Sequence, residues 1–509
     1  MNRCRVWLLV LPLLTMCACA RTSPVPASHL VVGIGNAPLN LDPGVGLDEA
    51  SQRIHQLVFD SLTRIDDNLR VVPDLASSVE TLDGRQYIVT LPAGVRFHDG
   101  RLLTSADVVY TYRRFLDPQF LSGRKGAYTN VVSVEAIDTH RVRFVLDSPS
   151  AAFPANLSSM GIVPDGAGAE MTRSPVGTGP YRLVRFVPDD HVLLDRFEDY
   201  YRGAPANSGL FVKVVPDETM RGLELRNGSV DIVVNDLSPD LVHSLSTSRR
   251  LQVVTGPGTD YAYLGTNLRD PVLADVRVRR AIAHAIDRRA IIDYLRRGLG
   301  RESATIVPSM SWAHADDVDG IACDPAAARQ LLDEAGYPDP DGDGPAPRLR
   351  LSLKTSSTEA YRLQAAVLQQ QLAAVGIALD LQSYEFATLF SDVQRGNVQL
   401  YTMIFVGGSV ADPDILRRVF HSSQVPPAGF NRAHYRDAEV DRLLDAATAA
   451  QTDDERQRYY AAVQRVIARD VPLISLWTRT NVAVTNPALE GVVLSPLGDF
   501  WFLKDVRRR

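Results

Sequence analysis

The chain has 509 residues, 45% hydrophobic and 22% charged, with a formal net charge of −6. At ~150 residues per domain this length points to two or three domains with substantial cores. The acidic balance, with no clustered basic excess, excludes a nucleic-acid footprint. Of four cysteines only Cys323 lies outside the first 19 residues, which excludes a disulfide framework and a cysteine metal site in the body of the chain.

The N-terminus reads as an export signal. Arg3 and Arg5 form a positive start, and residues 6–14 an apolar run too short to span a bilayer. Met16-Cys17-Ala18-Cys19-Ala20 follows and resembles a bacterial lipobox, in which cleavage leaves a lipidated cysteine at the new N-terminus. Cys19 fits that position best, because Ala18 precedes it. Cys17 stands as the alternative, with the bulkier Met16 before it. On this reading residues 1–18 are a signal peptide and residues 19–28 (CARTSPVPAS) a lipidated Pro/Ser tether. Loss of Arg3 and Arg5 leaves 52 basic against 60 acidic residues, a net charge of −8.

Short β-rich runs dominate the first half, at 30–34, 86–91, 141–146, 181–186, 191–195, 210–215 and 261–266, each bounded by turn-forming residues. Between them Thr104, with Asp107 three positions on, caps a helix whose inward face is Val108, Tyr112 and Phe115. The second half is more helical. Asp324-Pro325 opens a helix that Gly336 ends; Leu363 to Val375 carries an apolar stripe stopped by Gly376, and a strand follows at 377–381. Thr452 with Glu455 caps a helix with Tyr459, Val463, Val466 and Ile467 inward. This alternation predicts α/β architecture without internal repeats.

Motifs for chemistry are weak. Gly177-Thr178-Gly179-Pro180 lacks the Lys-Ser/Thr ending of a phosphate loop and leads into a strand, so it reads as a tight turn where the chain re-enters its first domain. The acidic turn 339–344 carries Arg350 at the twelfth position, where a calcium loop requires glutamate. There is no G-x-S-x-G or H-E-x-x-H, and the ten histidines are scattered, so the expectation is a protein that is not an enzyme and takes no metal or cofactor.

Six segments, in one order, together resemble the large family 5 solute-binding proteins of peptide and nickel ABC importers. They are Leu41-Asp42-Pro43 with Leu57-Val58-Phe59-Asp60-Ser61-Leu62, then Phe97-His98-Asp99-Gly100 through Asp107-Val108, then Pro175-Val176-Gly177-Thr178-Gly179-Pro180-Tyr181. Asn267 leading to Val276-Arg277-Val278-Arg279-Arg280-Ala281-Ile282, Ala411-Asp412-Pro413, and Tyr435 to Leu444 before Trp477 complete the set. The resemblance implies a two-lobed periplasmic-binding-protein fold with an additional inserted domain. Residues 29–47, 174–266 and 481–509 would form discontinuous lobe I, 48–173 the inserted domain and 267–480 the other lobe, with a hinge near Thr266 and Asn481. It also implies function: a monomer anchored in the periplasm or cell envelope, closing on a peptide-like ligand or metal chelate and delivering it to permease subunits of an ABC importer. A sensor component serving a chemoreceptor or kinase is the alternative.

By the same resemblance, ligand contacts come from the segment ending at Asp412-Pro413, with Phe405, Gly407, Gly408, Ser409 and Asp412 as candidates. Peptide binders of the family carry an acid four residues before this proline, to hold the peptide's ammonium; here Ser409 stands there. The bulky aromatic a few residues earlier is replaced by Val406 and two glycines, which puts plain peptides in doubt as ligands. Tyr261 and Tyr263, on a strand at the expected hinge, and Arg124, in a Gly-flanked loop beside Lys125, are further pocket candidates, with core packing the alternative for the tyrosines and a solvated surface the alternative for the arginine.

Overall fold

The computed structural model describes residues 26 and 28–509 except 343, 428 and 451, and not the side chains of 409 and 410. The signal peptide, Cys19 and nearly all of the expected tether lie outside the described residues. Among the described residues no helix is long and apolar enough to cross a membrane.

Alternating apolar runs become strands where a core receives them. In chain order these are β1 (Leu30–Ile34), β2 (Ser78–Thr81), β3 (Gln86–Thr90), β4 (Val131–Asp138), β5 (Arg141–Leu146), β6 (Tyr181–Val187) and β7 (His191–Arg196). They continue with β8 (Gly209–Val214), β9 (Ile232–Val234), β10 (Gln252–Thr266), β11 (Leu349–Ser356), β12 (Ile377–Tyr384), β13 (Leu400–Phe405) and β14 (Leu473–Thr485). One large sheet runs β12-β11-β13-β10-β14-β9-β1-β8-β7-β6, with the short strand Gly300–Arg301 added on β14. A separate sheet, β2-β3-β5-β4, belongs to the inserted region.

Strands β10 and β14 carry the large sheet from one lobe to the other. Their lower halves pair as Gln252↔Thr485 through Pro257↔Thr480, beside the first lobe's strands; their upper halves pair as Tyr261↔Thr478 through Gly265↔Leu473, beside β13. The register breaks between Pro257 and Tyr261. The crossing on β10 therefore lies a few residues before Thr266, and on β14 it falls beside Asn481, the partner of Gly256. Gly256-Pro257-Gly258 explains the shift: proline removes a ladder donor and glycine weakens pairing, so the strand bends there.

Core packing draws tighter limits for the inserted domain than 48–173. Its core runs from Leu62 to Ile162. The helix Glu49–Val58, capped by Asp48, instead turns Ala50, Ile54, Leu57 and Val58 into the first lobe's core with Leu30 and Val32. The Gly177–Pro180 turn is where the chain returns. Gly179 N–H donates to the Val58 carbonyl at 2.9 Å, and a Cβ there would stand 2.6 Å from the Val58 carbonyl carbon. Thr178 donates to Asp60 at 2.9 Å. These glycines admit close backbone approach and leave no phosphate cradle.

The expected caps are present. Asp107 accepts the Thr104 N–H at 2.8 Å ahead of the helix Ser105–Leu116, and Val108, Tyr112 and Phe115 are buried. Asp324 accepts from Ala326 and Ala327 at the start of Pro325–Glu334. Thr452 accepts from Glu455 at the start of Asp453–Asp470.

Candidate functional site

The segment leaving β13 lies beside the bend in β10. Gly407, at φ 35°, is in a backbone conformation that favours glycine, and its N–H donates to Asp260 Oδ1 at 2.7 Å. The other Asp260 oxygen pairs with Arg479 of β14 at 3.1 Å. Thr259 N–H donates to the Pro496 carbonyl at 3.1 Å, and Asn481 donates to the Pro257, Ser495 and Pro496 carbonyls. The loop after β13 is thus tied by hydrogen bonds to the place where the sheet bends. Past it, Val406 is 62% exposed and Gly408 is also exposed, with open space where a Cβ would stand.

A positive cluster surrounds this tie. Arg296 stacks 3.9 Å over the Trp477 ring, and burial, with Arg479 nearby, pulls its pKa down to about 10 despite the attraction of Asp260. Asp260 is the carboxylate these arginines share. Replacing it by alanine removes the anchor of Gly407 and the partner of Arg479. The pair is partly solvated, so the expected stability loss is about 1 kcal/mol. Urea unfolding of Asp260→Ala, Arg479→Ala and the double variant checks it, with a positive coupling energy as the expected result.

The inserted domain also meets the second lobe away from the hinge. Arg70 of the inserted domain pairs with Asp453 at 3.3 Å and lies 5.7 Å over the Trp312 ring. Nearby, a cavity of about 230 Å³ separates the loop 148–152 from Asp414, Arg417, Arg456 and Tyr460. Burial, reinforced by Asp412, pushes the Asp414 carboxyl up to about 7, against the opposing pull of Arg417, Arg456 and Arg418. A second cavity of about 360 Å³, walled by Tyr261, Arg288, Phe420, Gln464 and Ser475 among others, lies within the second lobe and not between lobes.

The site residues expected from sequence are partly brought together. Phe405, Gly407 and Gly408 stand in one segment; the Ser409 side chain lies outside the described residues. Asp412 turns back to accept the Asp414 N–H at 2.7 Å, and burial raises its pKa. Tyr261 and Tyr263 are buried core residues, and Tyr261 walls the cavity within the second lobe rather than one between lobes. Two positions apart, they share one strand face, and that face packs into the second lobe. Tyr263 stacks on Phe405 with centroids 4.9 Å apart, and the Tyr261 hydroxyl bonds Ser475 Oγ. Arg124 is half-buried against lobe I, its Nε donating to the Pro43 carbonyl at 3.1 Å, away from the Gly407 loop in hydrogen bonding. Sequence reasoning does not find Asp260, Arg296 and Arg479. Asp260 follows a Gly-Pro-Gly turn signal that reads as loop, and no local pattern marks the two arginines.

The model of the bacterial extracellular solute-binding proteins, family 5, matches residues 70–427. The oligopeptide-binding protein AppA of Bacillus subtilis is 29% identical over 498 residues, covering 94% of this chain and 91% of that protein. Heme-binding protein A of Haemophilus influenzae is 27% identical over 496 residues, 91% of this chain and 89% of that protein. The crystal structure of NikZ from Campylobacter jejuni in complex with Ni(L-His) superposes with a TM-score of 0.78 at 25% identity, over 95% of this chain and 100% of that chain. A sheet shared by two lobes through two bent strands, an inserted domain, and this match over most of the chain lead to one conclusion: the chain belongs to family 5 of the bacterial extracellular solute-binding proteins.

Proposed function

We propose that this protein is an exported receptor, anchored by lipid at Cys19, that closes on a small solute and delivers it to the permease of an ABC importer. The observation that carries the reading is the bond from Gly407 N–H to Asp260. A solute lying on the exposed Val406–Gly408 backbone would touch a loop fastened to the bend between lobes, so binding energy is coupled to the lobes' relative position. Oligopeptides, heme and nickel–histidine, named for the relatives, differ too much for any one to be transferred. Val406 with two glycines supports a ligand held close to backbone, and Ser409 argues against a free peptide ammonium. The sequence carries no recognisable nucleophile–base pair, which supports a binding role without catalysis.

Small-angle scattering tests closure. Protein freed of solute is expected to contract on adding the low-molecular-weight fraction of spent growth medium, and an unchanged radius of gyration at saturating solute would contradict the mechanism. The anchor is tested separately: Cys19→Ser is expected to move the protein from the membrane to the soluble fraction, whereas unmodified soluble wild type would refute it.

A further inference from the structure

Five arginines are buried among the described residues: Arg53, Arg221, Arg279, Arg288 and Arg432. A guanidinium taken out of water is costly unless its charge and its N–H groups are met. Four of the five have their charge or most of their N–H groups met locally, although Arg53 Nε, like that of Arg432, is buried without a partner. Arg53 pairs with Glu49 and Asp236. Arg221 donates to the carbonyls of Val215, Pro216 and Asp236. Arg279 donates to those of Leu273, Ala274, Asp470 and Val471. Arg288 donates to those of Ala283, Ile286, Ile321 and Ser475.

Arg432 is different. It is 6% exposed, its Nη1 donates to the Tyr263 hydroxyl at 3.0 Å, and its Nε is buried without a partner. Among the described residues it has no ion pair with a carboxylate. Around it stand three aromatic rings, with centroids 5.4 Å (Phe390), 5.5 Å (Phe405) and 5.2 Å (Phe430) from the guanidinium carbon. Ring faces attract the charge but accept no directional hydrogen bond as strong as an anion's. Tyr263 closes one side of the cage. Phe390 and Phe430 are half-buried, and Phe386, one helical turn before Phe390, is 54% exposed. Phe405 leads directly into the exposed Val406–Gly408 segment.

We propose that Arg432 is the counter-charge for an anionic group of the solute, a carboxylate, which reaches the guanidinium between Phe390 and Phe430 and accepts from its free N–H edge. The assignment rests on the solute-binding reading above and names the chemical class of ligand that reading left open. The aromatic walls raise the value of the contact by excluding water, and the planar fork of arginine fits the two oxygens of one carboxylate.

Sodium formate is the probe. Wild type and Arg432→Met, freed of solute by unfolding and refolding, are titrated with formate against chloride at constant ionic strength and followed by melting temperature. Wild type is expected to show a saturable rise. Arg432→Met should show none, while melting without formate at or above the wild-type temperature, because an unmatched buried charge has been removed. Arg432→Lys keeps the charge but not the fork, and is expected to bind formate about tenfold more weakly; it carries the comparison if the methionine variant does not refold. No formate response in wild type, or an equal response in the variants, overturns the assignment and makes the guanidinium a structural plug of the aromatic core. The solute released from natively purified wild type separates this inference from its premise: a solute without an anionic group overturns the role of Arg432 and leaves solute binding standing.

Discussion

Wild-type protein is expected to bind unmodified di- and tripeptides weakly, and Ser409→Asp to bind them about 10²- to 10³-fold more tightly. A peptide brought into a closed cleft loses the water around its α-ammonium. Stripping one partner from such a buried charge pair costs about 3–5 kcal/mol, which is roughly that factor in affinity. Ser409 sits in the short helix Gly408–Ala411, four residues before Pro413, the position at which the family resemblance places the acid that neutralises the ammonium. Asp412, the nearest acid, already accepts the Asp414 N–H through Oδ1, which leaves only its other oxygen for such a role. Calorimetry with a mixed peptide library against both proteins checks the expectation. Submicromolar binding by wild type would mean that another acid holds the amine.

Asp414→Asn is expected to stabilise the protein at pH 8 and to change it little at pH 4. The Asp414 carboxyl rises from 3.8 to about 7, first because it is buried and then because Asp412 is near. A carboxyl whose folded pKa is raised holds a proton that the unfolded chain has released, so between about pH 4 and pH 7 stability falls as pH rises. Above the folded pKa the whole penalty is present, and below the unfolded value it vanishes. A tenfold change in proton affinity corresponds to about 1.4 kcal/mol. Asp414 lines a cavity of about 230 Å³, and solvent reaching it relieves part of the penalty, so a gain of about 2 kcal/mol is expected at pH 8. Denaturant unfolding at the two pH values measures it. An equal effect at both would show that ionisation at this position is not the cause.

The local architecture was legible because the physics that forms it is local. Strand β1 and strand β5 fall on the expected residues, and the helices opened by Thr104, Asp324 and Thr452 start where a side-chain acceptor precedes an amphipathic run. Strand β10 was only half legible. Residues 261–266 alternate as a strand should, but the run before them contains Gly256-Pro257-Gly258, which reads as a turn and is in fact the bend inside a fifteen-residue strand. The inserted domain's limits were legible only to within a helix, because the apolar face of Glu49–Val58 fits either core by pattern and only packing decides between them.

The site was less legible. Its expected loop follows from the order of its residues, yet the bond that gives the loop mechanical meaning joins Gly407 to Asp260, 147 positions away. Tyr261 and Tyr263 suggest a pocket through their aromatic rings. The period of two places them on one face, and that face belongs to the core. Arg432 lies in a polar stretch with no periodic signal. Its significance comes from what surrounds it: three rings, one hydroxyl and, among the described residues, no carboxylate partner.

The central claim is that this chain holds a solute between its lobes, and mass spectrometry of protein purified under native conditions tests it most directly. A near-stoichiometric small molecule is expected to be released on denaturation, carrying a carboxylate and no free peptide ammonium, and to be retained more poorly by Asp260→Ala. Release of ordinary di- or tripeptides with free amino termini would contradict the account of the ligand. Failure to release or bind any solute, with the protein folded, would contradict solute binding itself.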